Sequence, residues 1–380
     1  MEIQATKEPI DMGKKRVLFL AQHFITLFSF RRELIENLVE EGHEVFLSLP
    51  DADENSFFKN LGCKIIPTLI DRRGVDPIKD LKLLLFYRKM FKEIDPDIIF
   101  SYTIKPNVYG TMVSNRRKRK SGLRYRHVCN ITGTGGTFLE NNFVAKICRF
   151  LYRHSVKYCY KVYFQNSSDR DLFIENKMIR NNWEMLPGSG VNLDQFKPYP
   201  LPIGDSVNFL VIGRVMKLKG IDEYLEAARR IKEKYPNTNF FIAGFVEEGE
   251  YKEKVSRYGD AVVPLGFIKD IAKEIMKCHC TILPSHGGEG VPNVLLESAA
   301  MGRICIGSRI PGTKDVIEDG VTGYLFNAGD VEGLVESIEK VIHLNPSERV
   351  EMGLAGRKKV EQEFDRNIVI HKYMNEVEMA

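Results

Sequence analysis

Two carboxylates, Glu289 and Glu297, bracket a turn rich in glycine (Gly287, Gly288, Gly290) that follows a short apolar run over residues 280–283. The run reads as a buried strand, and Pro292 or Asn293 as the start of a helix, because proline suits a first helical turn. Glycines without Cβ atoms let the backbone come close to a ligand. Unpaired N–H groups at the helix start favour an anion there. Glu297 falls one helical turn beyond Asn293, so it and Glu289 can face the same ligand. Glutamates at this separation mean little in a chain that is 28% charged. The glycine elbow and the proline make the spacing informative.

Elements on both sides are expected to hold this elbow in place. Residues 16–21 form a continuous apolar run fit for a parallel strand buried on both faces. A loop over 22–31, a helical pattern through Leu34, Leu38 and Val39, and a strand over 43–49 follow. This strand–loop–helix–strand unit opens a doubly wound domain, in which ligands sit beyond the carboxyl ends of strands. His23, Thr26 and Arg31 are therefore site candidates on that loop. Strands near 63–66, 97–101 and 127–131, with helices over 78–93 and after Tyr102, continue the pattern. The last of these strands runs into Thr132-Gly-Thr-Gly-Gly-Thr137, which lacks the spacing of a dinucleotide fingerprint.

Pro198, Pro202 and Gly204 mark a hinge. A second alternation then starts, with strands expected at 207–212, 239–244, 261–266, 280–283, 303–307 and 323–326. Helices are expected over about 220–235, 330–344 and 346–361. The expected fold is α/β, two Rossmann-like domains facing across a cleft. The boundaries predicted are 1–197, 198–362, and a final helix in 363–380 returning to the first domain.

Size and composition limit the function. A chain of 380 residues exceeds a typical single core, and 43% apolar content is ordinary for a globular protein. A net charge of +4 gives no global attraction to nucleic acid. Seven scattered cysteines, an odd number, argue against a disulfide framework and for a reducing compartment. Cys278-His279-Cys280 has no second pair to complete a zinc set. No run approaches the roughly 18 apolar residues needed to span a bilayer. The first dozen residues lack a signal-peptide core, and a cytoplasmic location is expected.

The stretch from Leu283 to Glu297, L-P-S-x-x-x-E-G-x-P-N-x-x-L-E, resembles the E-x7-E signature of family-four retaining glycosyltransferases, which adopt the GT-B fold. Gly213-Arg-Val-Met-Lys-Leu-Lys-Gly220 and Ser189-Gly-Val-Asn-Leu-Asp-Gln-Phe196 are similar to further motifs of that family, as are Gly266-Phe-Ile268, Asp315 and the Gly320–Leu325 segment. The resemblance implies that Arg214 and Lys219, beside Gly213, grip the donor diphosphate. A fixed cation aimed at the leaving group stabilises the transition state more than the ground state. It also implies that Glu289 holds hydroxyls of the transferred sugar and Glu297 the ribose. The backbone near Ile268 would cradle the base, and amides of Gly288, Gly290, Val291, Pro292 (its carbonyl only), Asn293, Val294 and Leu295 would line the sugar and phosphates. Glu289, Arg214 and Lys219 are the implied catalytic residues.

The resemblance further implies retention of configuration and no cofactor, with a UDP-sugar as donor substrate. No metal is expected, since protein cations meet the phosphate charge. The Asp-x-Asp triplets at 51–53, 95–97 and 169–171 are explained by capping. Many relatives carry a histidine where this chain has Thr132 and Thr134, which become acceptor-site candidates together with Lys105. The segments around Phe30 and Tyr102 look like enzymes of bacterial capsule, O-antigen and lipid-linked glycan assembly. These imply an N-acetylhexosamine moved to a polyprenyl-diphosphate-linked saccharide. An epimerase of UDP-N-acetylglucosamine and a non-catalytic nucleotide-sugar-binding subunit are the alternatives.

Charge distribution adds a partner. Residues 116–161 carry twelve Lys/Arg against one acid, Glu140, with Phe138, Phe143, Ile147, Phe150, Leu151 and Tyr158 among them. A basic amphipathic segment of this kind fits an anionic membrane surface, placing the enzyme on the inner face of the plasma membrane. No motif points to nucleic acid.

Overall fold

The structure, a computed structural model, describes residues 13–70, 76–134 and 143–380. The part of the Thr132–Thr137 turn from Gly135 onward, with Phe138 and Glu140, lies outside these residues.

The strands of the first sheet are β1 (Arg16–Leu20), β2 (Glu44–Leu49), β3 (Lys64–Pro67), β4 (Ile98–Tyr102), β5 (Arg126–Ile131), β6 (Lys161–Phe164) and β7 (Trp183–Met185). Their order is β3-β2-β1-β4-β5-β6-β7. The pairings of β1 with β2 and β4, of β2 with β3 and of β4 with β5 are all parallel. The second sheet holds β8 (Val207–Ile212), β9 (Thr238–Ala243), β10 (Val262–Gly266), β11 (Cys280–Leu283), β12 (Ile304–Ser308) and β13 (Gly323–Phe326). It is parallel throughout, in the order β10-β9-β8-β11-β12-β13. The two orders share one logic. The chain winds outward from the first strand in one direction, then returns to its other side, which leaves a switch point between β1 and β4 and another between β8 and β11.

The chain divides into two compact units. Of the described residues, one unit takes those up to Asn130 with Leu151–Val162 and Ile370–Ala380; the other takes those of 131–150 with Tyr163–Val369.

In the first unit the apolar run of β1 is fully buried, as a strand covered on both faces must be. Helix α1 (Phe24–Glu40) begins earlier than its sequence suggests. The loop expected over 22–31 shrinks to residues 21–23, and Thr26 and Arg31 lie within the helix. Two interactions account for this. The His23 side chain caps the first turn by accepting from the Ile25 amide at 3.1 Å. The rings of Phe24 and Phe28 stack at 5.0 Å and meet Phe57 and Phe58, whose helix α2 (Ser56–Leu61) follows β2. Tertiary packing thus overrides the weak helical propensity of the aromatic segment. Helices α3 (Pro77–Ile94) and α4 (Ile104–Arg116) lead into β4 and β5, and α3 starts on an Asp76 cap with proline at its first position.

Helices α5 (Phe143–His154) and α6 (Ser167–Glu175) follow along the chain. In the second unit α7 (Ile221–Lys234) buries Ile221, Tyr224, Leu225, Ala228 and Ile231, a 3.6-residue stripe against the sheet. The remaining elements are α8 (Glu250–Arg257), α9 (Ile271–Met276), α10 (Asn293–Ala300), α11 (Thr313–Val316), α12 (Val331–His343), α13 (Pro346–Glu363) and α14 (Arg366–Glu378). Helix α13 opens on a reciprocal Asn345/Glu348 capping box. Helices α8, α9 and α11 run for 8, 6 and 4 residues, too short to show a periodic signal in sequence. Among the described residues no helix is long and apolar enough to cross a membrane.

Candidate active site

The carboxyl ends of β8 and β11 lie side by side at the switch point of the second sheet, where doubly wound folds bind ligands. After β8 the chain passes Gly213 and Arg214, makes a tight turn over Lys217–Lys219, and enters α7 through Gly220. After β11 it runs through the elbow 284–292 into α10. The two loops are tied together. The His286 amide donates to the Leu218 carbonyl at 2.9 Å, and Ser285 Oγ lies 3.3 Å from the same carbonyl. Gly220 adopts φ +68°, and a Cβ there would overlap the Pro284 carbonyl oxygen. Only glycine fits.

This seam brings together two of the three expected catalytic residues, Lys219 and Glu289. Lys219 Nζ forms an ion pair with Glu289 Oε1, and Ser285 Oγ donates to the same oxygen at 2.7 Å. Ser308 Oγ, from the end of β12, in turn holds the Ser285 carbonyl. The carboxylate is therefore fixed from two sides while only 14% exposed. Arg214 is freer: its guanidinium is 42% exposed and lies 3.9 Å from Glu247. The seam thus offers one committed cation and one largely uncommitted one.

The start of α10 adds donors. Its cap, Pro292, makes no side-chain hydrogen bond to the first turn. Among the described residues the amides of Gly288, Glu289, Gly290, Val291, Asn293 and Val294 take no backbone acceptor. Leu295 N–H already donates to the Pro292 carbonyl at 3.1 Å, and its side chain is wholly buried. The row of available amides expected to reach Leu295 ends at Val294. A helix start with uncapped N–H groups favours an anion.

Glu297 sits one turn into α10. Burial pushes its carboxyl up to about 7, opposed by the Arg366 guanidinium. Arg366 is held against the Gly190 carbonyl at 3.2 Å, which also accepts from Asn293 Nδ2 at 3.2 Å. A carboxyl raised from its ordinary 4.5 imposes no penalty below about pH 4.5 and its full penalty above pH 7. Glu297→Gln is therefore expected to raise Tm at pH 8, corresponding to roughly 2 kcal/mol, and to leave it unchanged near pH 4.5. Thermal melts of the ligand-free pair across that range check this; a gain independent of pH contradicts it.

The remaining donor-site candidates fall around the same elbow. Val291 is buried and would be struck by a Cβ on Gly188. Pro292 and Gly290 are buried, with Gly288 at φ +72° between the loop's turns. Gly312 at φ +79° allows the chain before α11 to touch the Gly290 carbonyl, and Asp315 of α11 is pushed up by burial. Ile268 packs partly buried at the end of β10, beyond Gly266.

The acceptor candidates divide into two groups. Thr132 and Thr134 belong to the same unit as the elbow. The Thr132 carbonyl and Gln165 Oε1 would stand 2.6 and 2.5 Å from a Cβ on Gly290, so this position also requires glycine. Thr134 Oγ1 donates to Asp169 Oδ1 at 2.9 Å, and Asn166 Nδ2 bridges Asp169 Oδ2 (2.9 Å) and the Glu289 carbonyl (3.4 Å). Asp169 is pushed up by burial. Gln165, Asn166 and Ser285 are contributors with no motif of their own; only the serine in Leu-Pro-Ser hinted at one.

His23, Thr26, Arg31 and Lys105 belong to the other unit, and three of them are engaged there. His23 is the α1 cap. Lys105 Nζ pairs with Asp80 at 2.6 Å. Arg31, expected as an exposed loop side chain, is 2% exposed. It donates to Tyr102 Oη (3.1 Å), Tyr373 Oη (3.0 Å) and the Phe30 carbonyl (2.6 Å), a structural role for a buried guanidinium. His127, inside β5, bonds Ser101 Oγ (2.8 Å) and Ser114 Oγ (3.0 Å), and burial pushes it down to about 3. It is a neutral core histidine. His279 is another, pushed down to about 4 and accepting the Asn208 amide at 3.1 Å. Among the described residues no group of His, Cys, Asp and Glu is placed to hold a metal.

The sheet orders and the elbow agree with the comparisons. A model described as "Glycosyl transferases group 1" matches residues 206–343, and one described as "Glycosyl transferase 4-like" matches 16–166. Between them the two models match most of the chain, which belongs to the glycosyltransferases they describe. Solved structures confirm the GT-B fold: this glycosyltransferase superposes on one from Rickettsia africae with a TM-score of 0.78 at 16% identity, covering 97% of this chain and 98% of the other. HepE of Anabaena in complex with UDP and glucose gives 0.77 at 16% identity, covering 96% and 100%. Among relatives, the N,N'-diacetylbacillosaminyl-diphospho-undecaprenol alpha-1,3-N-acetylgalactosaminyltransferase of Campylobacter jejuni is 25% identical, over 94% of this chain and 97% of its own. The capsular polysaccharide biosynthesis glycosyltransferase CapM of Staphylococcus aureus is 25% identical over 91% and 93%.

Proposed function

We propose that this glycosyltransferase moves an N-acetylhexosamine from a UDP-sugar to a polyprenyl-diphosphate-linked saccharide, with retention and without a metal, at the inner membrane surface. The observation that carries the reading is the seam where Lys219, Glu289 and Ser285 meet beside uncapped amides of α10. A sugar nucleotide presents a diphosphate and a ring of hydroxyls, and the seam offers cations and amides for the one and a fixed carboxylate for the other.

In the reaction the anomeric carbon–oxygen bond breaks and its electron pair passes to the departing diphosphate. Arg214, Lys219 and the α10 amides meet that charge as it forms, in a setting already oriented for it. Lys219 must exchange Glu289 for phosphate, which releases the carboxylate to sugar hydroxyls. The acceptor hydroxyl attacks from the face the diphosphate leaves, and its proton goes to a departing phosphate oxygen. The Thr132–Thr134 segment is available to position that acceptor, since neither hydroxyl is a base near neutral pH.

Metal independence is supported by the state of two of the three aspartate triplets. Asp95 and Asp97 pair with Arg16 and Arg119, and Asp169 is spent on Thr134 and Asn166. The membrane-linked acceptor is supported by the Campylobacter relative and by a 23%-identical Escherichia coli UDP-Gal:alpha-D-GlcNAc-diphosphoundecaprenol alpha-1,3-galactosyltransferase. The test is a screen of UDP-hexoses and UDP-N-acetylhexosamines against lipid-diphosphate saccharides in chelator, with product mass and anomeric configuration read out. A product of one added N-acetylhexosamine with α configuration from an α donor is expected. An inverted product, or transfer only with added divalent metal, contradicts the mechanism.

A further inference from the structure

Helices α3 and α4 start side by side, where the Asp80 carboxylate accepts from Lys105 Nζ at 2.6 Å and Tyr109 Oη at 2.9 Å. Farther along lies a groove of about 460 Å³ lined by Leu84, Leu85, Met112 and Val113 together with Arg88, Arg116 and Arg117. None of the three guanidinium groups has a hydrogen-bond or ion-pair partner among the described residues. Apolar residues continue outward from the groove. Ile78, Leu81 and Leu85 are 68%, 57% and 52% exposed at positions i, i+3 and i+7 of α3, one helix face turned to solvent. Leu123, 64% exposed, stands near the bridge between Lys118 and Arg124. An apolar stripe of this size, beside unpaired cations, is not how a helix face made for water is built.

We infer that the α3/α4 groove binds one anionic phospholipid of the bilayer, its phosphate at Arg88, Arg116 and Arg117 and the upper part of an acyl chain over Leu84, Leu85 and Met112. Arginine suits this task because its planar fork meets two phosphate oxygens at once. The position in the fold separates this lipid from the acceptor. The two helices begin at the carboxyl edge of the first sheet and run toward its amino edge. From Lys105 to Arg116 is about 16 Å of helix at 1.5 Å per residue. A diphosphate reacting at the carboxyl edge is out of reach of the three arginines. The groove therefore anchors the enzyme to the membrane and takes no part in transfer. The inference rests on the reading of residues 116–161 as a membrane-facing surface and adds α3, which lies outside them.

The test uses the full-length protein and the variant Leu85→Ser/Arg88→Ser, two exposed positions outside the catalytic machinery. Flotation with phosphatidylcholine vesicles, with and without phosphatidylglycerol, is paired with titration of monomeric dioctanoyl-phosphatidylglycerol, geranyl diphosphate and inorganic phosphate. The wild type is expected to float only with the anionic vesicles and to bind the short-chain lipid one to one, more tightly than the other two probes. The variant is expected to lose about tenfold in that affinity, as a desolvated phosphate losing one guanidinium should. Transfer to a soluble short-chain acceptor is expected to stay unchanged. If the wild type ignores anionic vesicles, the membrane reading and the groove fall together. If both proteins float alike and the short-chain lipid binds neither, the groove alone is refuted. Preference for geranyl diphosphate reassigns it to the acceptor tail and overturns the phospholipid.

Discussion

Glu289→Gln is expected to lower kcat by about 10³-fold, a transition-state loss near 4 kcal/mol, while UDP affinity changes by no more than about threefold. The substitution keeps the shape of the side chain and its bond to Ser285 Oγ. It removes the negative charge. In the resting state that charge is compensated by Lys219. On the mechanism proposed above, positive charge grows at the anomeric carbon while Lys219 attends the diphosphate, and a neutral amide cannot answer it. UDP has no hexose to lose contact with, and a Lys219 released from its carboxylate is freer to meet phosphate, so nucleotide binding holds or tightens. Steady-state kinetics beside UDP titration separate the two effects. Undiminished kcat would remove Glu289 from the site, and a matching loss of UDP affinity would make it a nucleotide anchor instead.

The second large effect is structural. Arg303 is wholly buried and has no carboxylate partner among the described residues; its guanidinium donates to four backbone carbonyls. Nε reaches Ile275 at 3.0 Å, Nη1 reaches Tyr199 at 2.7 Å, and Nη2 reaches Pro200 at 3.1 Å and Met276 at 3.3 Å. It thereby pins the segment before β8 to the end of α9, and burial pushes it down to about 10. Arg303→Ala leaves those carbonyls without donors in a dry interior and opens a cavity. A loss of about 4 kcal/mol is expected, since each buried unsatisfied group costs about 1–3 kcal/mol and some relaxation follows. Thermal melting should fall by about 10 °C for a unit of this size. Arg303→Lys should recover little, because one ammonium cannot span four acceptors. A melt within about 2 °C of wild type would show the carbonyls finding other donors.

Much of this organisation was legible because its causes are local. Strands such as β1 are buried on both faces and leave unbroken apolar runs, and helices such as α7 keep a clear periodicity. The elbow was legible for a different reason: the residues it needs, three glycines, a proline and two glutamates, are consecutive or nearly so. What the sequence hid arises from contacts between distant segments. Phe24 starts a helix because Phe57 and Phe58 wait to receive it. Arg31 looks like a ligand-binding side chain until Tyr102 and Tyr373, hundreds of positions apart, enclose it. Asn166 carries no motif, yet its side chain links the Glu289 carbonyl to Asp169, which in turn holds Thr134. Glu297 was marked by spacing alone, and the burial that drives its carboxyl toward neutrality could not be read from its neighbours in the chain.

The central claim is that the switch point of the second sheet takes the sugar nucleotide and that protein groups alone neutralise its diphosphate. A crystal structure of the enzyme soaked with UDP in the presence of chelator tests it most directly. The account predicts phosphate oxygens within hydrogen-bonding distance of Arg214, Lys219 and the amides of the α10 start, with Lys219 withdrawn from Glu289 and the ribose on Glu297. UDP bound at the carboxyl edge of the first sheet, or bound only when a divalent cation is supplied, would contradict it.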